Sequence, residues 1–135
     1  MNIQRAYVEI TNLCNLHCDF CAGHHRPLMA MRTDDFAVAA KKRRAVTQYI
    51  YLHVMGEPLL HPELGKILDT CAQLDFRVCI TTNGTLLSAR RALLEEKAAV
   101  LHKVSISLHA PEGSGAALDL KDYLAAVWDF CAAVR

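Results

Sequence analysis

Short β-type segments alternate with longer helix-type segments along this chain, and this alternation constrains the fold more than any other feature. Runs rich in β-branched and aromatic residues predict strands at 6–11, 49–54, 77–82 and 104–108. Strands that are joined through helices run parallel and are connected by right-handed crossovers. The sequence therefore predicts an α/β fold built from about four parallel strand–helix units.

The segments between and after the strands carry helical features. Thr33 offers an N-cap ahead of two acidic residues, and that helix is predicted to end in the basic run 41–44. The stretch 86–101 is also predicted to be helical, with Leu93, Leu94 and Leu101 in the core. Apolar stripes at helical spacing predict the buried faces of two more helices. The stripes are Leu64, Ile67, Leu68, Cys71 and Leu74 in one, and Leu120, Leu124, Val127, Trp128 and Cys131 in the other.

Residues suited to chemistry follow the ends of all four predicted strands. Three cysteines come after the first strand, Gly56-Glu57 after the second, Asn83-Gly84 after the third and His109 after the fourth. The carboxyl ends of parallel strands share one edge of the sheet, where α/β proteins bind their ligands. The sequence therefore predicts one functional site at this edge.

Six cysteines could suggest a disulfide framework, but their spacing favours a metal centre. Three lie close together and three lie singly among apolar residues: Cys14, Cys18 and Cys21 form the cluster, and Cys71, Cys79 and Cys131 are the single thiols. This distribution indicates a reducing compartment with three packed thiols. A net charge of +1, no run of 18 apolar residues and no signal-like start predict a cytoplasmic protein without membrane or nucleic-acid partners.

Three closely spaced thiolates can hold either an iron–sulfur cluster or a zinc ion. A [4Fe–4S] cluster bound by Cys14, Cys18 and Cys21 would leave one iron without a protein ligand, which is typical of a reactive site. Zinc would complete its shell with His24 or His25, although zinc sites usually contain paired cysteine knuckles. The spacing favours the cluster, with zinc and inert buried thiols as alternatives.

Several segments resemble the radical S-adenosylmethionine (radical SAM) superfamily. The C-x₃-C-x₂-C spacing with Phe20 before the last cysteine is similar to the family's cluster motif. Residues 55–62 resemble its Gly-Gly-Glu motif, with Met55 in place of the first glycine. Residues 81–84 and 105–109 resemble the ends of its third and fourth strands. The resemblance extends over nearly the whole chain and implies the family's partial (β/α) barrel.

The resemblance implies two cofactors, a [4Fe–4S] cluster and S-adenosylmethionine, and reductive cleavage of the latter to a 5′-deoxyadenosyl radical that abstracts hydrogen from a substrate. In the family, the Gly-Gly-Glu motif contacts the methionyl amino group, and the fourth strand contacts the ribose and carboxylate. The cofactor-binding residues implied here are Phe20, Gly56, Glu57, Thr82, Asn83, Ser107 and His109, with Cys14, Cys18 and Cys21 on the metal.

Each implied contact also has a structural alternative. Glu57 could cap the helix that follows it, and Thr82 and Asn83 could only shape the turn before Gly84. The Ser107 hydroxyl could be an ordinary strand side chain, and His109 an ordinary loop histidine. The two remaining histidines near the motifs, His53 and His61, are interpreted as structural.

The extent of the resemblance limits what the sequence predicts about activity. Family barrels typically have six strand–helix units, so residues 1–135 are interpreted as a single, incomplete core domain. The alternative is a truncated, non-catalytic cluster- or zinc-binding module that needs a partner or the missing half. Expected partners are an electron donor of flavodoxin or ferredoxin type and an unknown substrate, which could be a peptide or protein. Segments 55–60 and 107–111 also resemble the RNA-adenine methyltransferase branch.

Overall fold

Four parallel strands form one sheet in the computed structural model, which describes residues 3–23, 25–113 and 118–134. The strands are β1 (Ala6–Tyr7), β2 (Tyr49–Tyr51), β3 (Arg77–Thr82) and β4 (Leu101–Ile106). Their order in the sheet is β1-β2-β3-β4, and each neighbouring pair is parallel. The predicted α/β fold with four parallel strand–helix units is confirmed.

Helices connect successive strands and cover one face of the sheet. The described ranges contain α1 (Thr33–Arg44), α2 (Leu64–Gln73), α3 (Leu87–Glu96), α4 (Ala110–Gly113) and α5 (Leu120–Ala133), with a 3₁₀ turn at Pro58–Leu60. Helix α1 packs against α2, and α3 against α5. Within these same ranges, no helix combines the length and apolarity needed to cross a bilayer.

The two faces of the sheet differ because side chains alternate along each strand. Ile50, Val78 and Ile80 point to the helical side and are almost completely buried. They join a core that includes Phe36, Leu52, Leu64, Ile67, Leu68 and Leu94. The opposite, inner face carries rings such as Tyr7 and Tyr51, which stack with centroids 4.7 Å apart.

Strands β1 and β2 are shorter than the predicted 6–11 and 49–54. The N–H of Val8 still donates to the Tyr51 carbonyl (2.8 Å), but the Ile10 carbonyl accepts from Met31 (2.7 Å). The chain stays extended after β1 and changes its pairing partner, because the segment leading into α1 returns alongside it. This return places residues 12–23, the cysteine loop, at the carboxyl end of the sheet.

Helix α3 and strand β4 also differ from the predicted bounds. Helix α3 ends at Glu96 rather than at 101, and β4 occupies Leu101–Ile106 rather than 104–108. Leu101 pairs with Val78 across the sheet, so it belongs to the strand. At the start of α1, Thr33 is the first helical residue, and Arg32 takes the N-cap position without a side-chain bond. The predicted Thr33 cap is therefore wrong, whereas the predicted end in the basic run is confirmed.

Helix α5 buries only part of the predicted stripe. Val127 is buried, and Leu124 and Cys131 pack partly buried against the core, as predicted. Leu120 is 49% and Trp128 is 65% exposed, so these two core positions are wrong. The helix packs against α3, and the Tyr123 hydroxyl donates to the Asn83 carbonyl (2.8 Å), so that Tyr123 and Phe130 are buried beside Val127.

Candidate functional site

A cavity of about 560 Å³ opens at the carboxyl ends of the strands and brings together all the predicted site residues except His109. This strand-end cavity is bordered by the cysteine loop, the turn after β2, the end of β3 and Ser107. A larger opening of about 760 Å³ lies at the other end of the sheet, near Arg5, Tyr49 and Lys103, and no cysteine borders it. The chemistry-bearing side chains therefore identify the smaller cavity as the candidate site.

All three clustered cysteines border the strand-end cavity. The thiols of Cys14 and Cys21 are exposed, and that of Cys18 is half-buried. Burial raises the pKa of the Cys18 thiol, and the neighbouring Cys14 and Cys21 raise it further. Cys18 therefore lies close enough to the other two thiols to feel their charge as thiolates, and a positively charged centre would relieve that repulsion.

Helix α4 contacts the cysteine loop through hydrogen bonds between protein atoms alone. The N–H of Asp19 donates to the Gly113 carbonyl (2.7 Å), and the Cys18 thiol donates to the Ala110 carbonyl (3.5 Å). The Phe20 ring packs on His109 with centroids 4.5 Å apart and occupies the space above Gly113. Two distant segments of the chain thus fix the position of the loop.

The spacing of the thiols bears on which metal centre they could hold. One zinc ion would need sulfurs about 4 Å apart, because each Zn–S bond is about 2.3 Å long. Among the described side chains, no three from His, Cys, Asp and Glu converge closely enough to ligate a single ion. Of the histidines considered as zinc ligands, His25 is exposed and does not border the strand-end cavity. His24 lies outside the described residues.

The turn after β2 lies directly against the start of the cysteine loop. Gly56 has φ +82°, and a Cβ there would lie 2.5 Å from the Thr11 carbonyl oxygen. The N–H of Glu57 donates to the Leu13 carbonyl (2.7 Å). Glycine is required at position 56 for both its left-handed conformation and this close backbone approach.

Glu57 is the most enclosed carboxylate of the site, with 1% exposure. Its Oε1 accepts from the Leu59 N–H (3.1 Å) and the Thr82 hydroxyl (2.8 Å), and its Oε2 accepts from the Asn83 N–H (2.7 Å). Burial raises the pKa of Glu57, and these three hydrogen bonds oppose that rise. Glu57 therefore caps the 3₁₀ turn, and about one of its four acceptor positions remains, on Oε2.

The end of β3 is tied to the cysteine loop through Asn83. Its Nδ2 donates to Asn15 Oδ1 (2.9 Å) and lies 3.9 Å from Cys14 Sγ. Its Oδ1 accepts from both the N–H and the hydroxyl of Thr85. The Thr82 hydroxyl, besides its bond to Glu57, accepts from the Gly84 N–H (3.1 Å). Thr82 and Asn83 thus shape the turn, as the structural alternative predicted, while both border the strand-end cavity.

The two predicted site residues that follow β4 occupy different positions. Ser107 is half-buried, borders the strand-end cavity, and donates its N–H to the Thr82 carbonyl (2.9 Å). His109 is exposed, lies behind the Phe20 ring and does not border the cavity. Phe20 itself is 55% exposed and forms part of the rim.

Two positioning interactions were missed in the sequence. Asn15 donates to the Thr85 hydroxyl (2.8 Å) and so joins the residue after Cys14 to the turn after β3. Arg26 binds Glu9 with two hydrogen bonds (2.6 and 3.1 Å), and Glu9 also accepts from the Met55 N–H (2.8 Å). No local pattern signals these links, because their partners are far apart in sequence.

Comparison with known proteins shows similarity over most of the chain. A sequence profile of the radical SAM superfamily matches residues 8–127. The chain is 35% identical over 108 residues to GTP 3′,8-cyclase of Chlorobaculum tepidum, which covers 75% of this chain and 31% of that protein. It is 34% identical over 79 residues to 7-carboxy-7-deazaguanine synthase of Halobacterium salinarum, which covers 56% and 30%. The chain spans about a third of the length of the curated relatives it matches.

A solved structure has the same arrangement of strands and helices. SuiB of Streptococcus suis, determined with bound S-adenosylmethionine, matches with a TM-score of 0.74 at 18% identity. The match covers 98% of this chain and 32% of SuiB. At this identity the likeness shows a shared fold, in which the open four-stranded sheet corresponds to part of a larger barrel.

Proposed function

The chain belongs to the radical SAM superfamily, as its motifs predicted, and we propose on that basis that Cys14, Cys18 and Cys21 hold a [4Fe–4S] cluster. Members of this family bind such a cluster together with S-adenosylmethionine. The observation that supports the assignment is that the three thiols border one cavity. A [4Fe–4S] cluster in that cavity would present a separate iron to each thiolate.

The turn after β2 and the strand ends that border the same cavity would hold S-adenosylmethionine. The methionyl amino group would bind beside the backbone of Gly56, where no side chain intervenes, and at the remaining acceptor position of Glu57 Oε2. Ser107 would contact the ribose or carboxylate, and the exposed Phe20 ring at the rim would contact the adenine, backed by His109. These roles follow from the family's motifs and from where these side chains lie.

Thr82 and Asn83 would act mainly by positioning other groups. Their hydrogen bonds to Glu57 fix its carboxylate, and Asn83 also reaches the cysteine loop. The Asn83 amide, 3.9 Å from Cys14 Sγ, would stabilise a thiolate there. The protein thus contributes orientation, enclosure and charge, while the cofactors supply the chemistry.

The chemistry that these cofactors supply when bound is one-electron cleavage of S-adenosylmethionine into methionine and a 5′-deoxyadenosyl radical for hydrogen abstraction. An electron donor of flavodoxin or ferredoxin type would supply that electron. The substrate is proposed to be a small molecule or a peptide. One relative is named for GTP cyclisation, and SuiB has been crystallised with a precursor peptide.

Oxygen-free reconstitution tests the cluster assignment. The wild-type chain should bind about four irons and four sulfides, and Cys14→Ala, Cys18→Ala and Cys21→Ala should each lose most of both. Cys131→Ala is the matched control, since Cys131 is a partly buried thiol on α5 outside the cavity, and it should load normally. One zinc per chain without sulfide would refute the cluster and favour the zinc-binding module.

A second measurement separates an active enzyme from a cofactor-binding portion. The reconstituted chain is mixed with dithionite and S-adenosylmethionine, and 5′-deoxyadenosine is quantified by chromatography. Release that requires the reductant supports turnover by this chain. A fully loaded protein that releases none would contradict turnover and support the non-catalytic alternative.

A further inference from the structure

His53 lies in the wall of the strand-end cavity, although none of the family motifs includes it. It follows β2, where Ile50 and Leu52 point into the helical core and are almost completely buried. Because side chains alternate along an extended chain, Tyr51 and His53 lie on the opposite, inner face. The imidazole is therefore half-buried beside the space that the proposed cofactors would occupy.

Two tyrosine rings hold the imidazole in a fixed orientation. Tyr7 meets it at 5.9 Å with an interplanar angle of 84°, and Tyr51 at 6.1 Å with 65°. These tyrosines stack on each other, so the three rings form one aromatic group on the inner face. Edge-to-face contacts of this kind favour one ring orientation over others.

The two ring nitrogens of His53 have different surroundings. Nδ1 is completely enclosed and has no hydrogen-bond partner within the described residues. Nδ1 is the only ring nitrogen of His53 found both enclosed and unpaired among the described residues, so Nε2 is the nitrogen that a molecule in the cavity would reach. Burial lowers the pKa of His53 and so favours the neutral ring.

The enclosed nitrogen also determines where the single proton lies. With the proton on Nε2, Nδ1 is an enclosed acceptor without a donor; with the proton on Nδ1, it is an enclosed N–H without an acceptor, which folded proteins contain more rarely. The favoured tautomer therefore carries the proton on Nε2, which makes His53 a hydrogen-bond donor towards the cavity. Such a donor pairs with an oxygen or nitrogen acceptor on a ligand.

We propose that His53 donates a hydrogen bond from Nε2 to an acceptor atom of S-adenosylmethionine in the strand-end cavity. The inference rests on the proposed function, because it takes the cavity to be the cofactor's site. His53, Thr81 and Ser107 border this cavity from three successive strands, so a molecule lying across the strand ends would reach all three. S-adenosylmethionine presents suitable acceptors in its carboxylate, ribose oxygens and adenine nitrogens.

Equilibrium dialysis of the reconstituted full chain with radiolabelled S-adenosylmethionine, without reductant, tests the proposal. His53→Phe should weaken binding about three- to tenfold, the range expected for one lost hydrogen bond. His53→Gln keeps a donor and should recover most of the affinity. His102→Phe is the matched control and should bind normally, because His102 also contacts a tyrosine ring edge-on but borders the opening at the other end of the sheet.

Chemical modification of the unmutated protein gives an independent readout. Diethyl pyrocarbonate acylates accessible imidazole nitrogens, and S-adenosylmethionine should slow its reaction with His53 but not with His102, as read by peptide mass spectrometry. Equal affinity of His53→Phe and wild type, or unchanged modification of His53, would overturn the inference. Equal losses in His53→Phe and His53→Gln would also overturn it. A loaded wild-type chain that fails to bind S-adenosylmethionine would refute the proposed function instead.

Discussion

Replacing Glu57 tests how much of the site's stability depends on one buried carboxylate. Its two oxygens accept from the Leu59 N–H, the Thr82 hydroxyl and the Asn83 N–H. Glu57→Ala would leave these buried donors without an acceptor, at roughly 1–3 kcal/mol each before relaxation. The substitution also removes the cost of burying a charged group, which offsets part of this penalty. We therefore expect the free energy of unfolding to fall by about 3–5 kcal/mol.

Glu57→Gln should cost less, because the amide oxygen can keep the two bonds made by Oε1. Its NH₂ group would then face the Asn83 N–H, so one hydrogen bond is lost and two donors oppose each other. We expect a loss of about 1–3 kcal/mol. Urea unfolding followed by circular dichroism measures both variants. With a slope of about 1.5 kcal/mol/M, a loss of 3 kcal/mol lowers the midpoint by about 2 M.

Glu96→Gln is the matched control, since Glu96 is an exposed glutamate paired with Lys97. It should change stability by no more than about 0.5 kcal/mol. If Glu57→Ala unfolds at the same urea concentration as Glu96→Gln, the reasoning about the buried carboxylate is refuted.

The pH dependence of the Glu57→Gln effect provides a second check. Burial raises the pKa of Glu57, so the folded protein holds this proton more tightly than the unfolded chain does. Ionisation of Glu57 therefore lowers the free energy of unfolding as the pH rises from the pKa in the unfolded chain, about 4.3, through the pKa in the folded protein. The stability advantage of wild type over Glu57→Gln should therefore shrink across that window. An advantage that grows with pH would show that hydrogen bonding outweighs burial.

Three further variants or reagents test other parts of the structure. Gly56→Ala should destabilise the protein by about 2 kcal/mol more than Gly23→Ala. Both glycines have positive φ, but only at position 56 would the new Cβ lie against backbone atoms. Equal urea midpoints for the two variants would contradict this. Burial raises the pKa of Cys71 to about 12. In the metal-free folded protein at pH 8, Cys71 should therefore resist iodoacetamide while the exposed Cys14 reacts. Equal labelling rates of the two cysteines, read by peptide mapping, would refute this. Asp119→Ala should cost about 1 kcal/mol by removing the α5 N-cap, whose carboxylate accepts from two backbone N–H groups, and an unchanged melting temperature would argue against the cap.

Local patterns determined the class of fold and the location of the site. Strand and helix periodicity depends on neighbouring residues, so the order of the four units could be predicted from the sequence. Parallel strands place their carboxyl ends at one edge, so the cysteines, Gly56, Asn83 and His109 were expected to meet there, and all except His109 border one cavity. The cysteine spacing and the motifs that follow each strand were enough to predict the family.

Element bounds and buried faces depended on packing between distant segments. The pairing of Ile10 with Met31 shortens β1, and Leu101 joins β4 because Val78 lies opposite it. Helix α5 carries apolar residues around much of its circumference, and contact with α3 and the Asn83 carbonyl determines which of them are buried. A sequence pattern shows that a helix has apolar faces, but not which of them meets a neighbour.

The interactions within the site were decided by tertiary structure alone. Folding brings together the groups that create three features of the site. These are the donors that bond to Glu57, the link from Asn15 to Thr85, and the enclosed Nδ1 of His53. Hydrogen bonds require contact within about 3 Å, and residues far apart in sequence reach that distance only after the sheet and its helices have packed. The sequence alone therefore determined which residues gather at the strand ends, and folding determined which of their polar atoms remain available to a ligand.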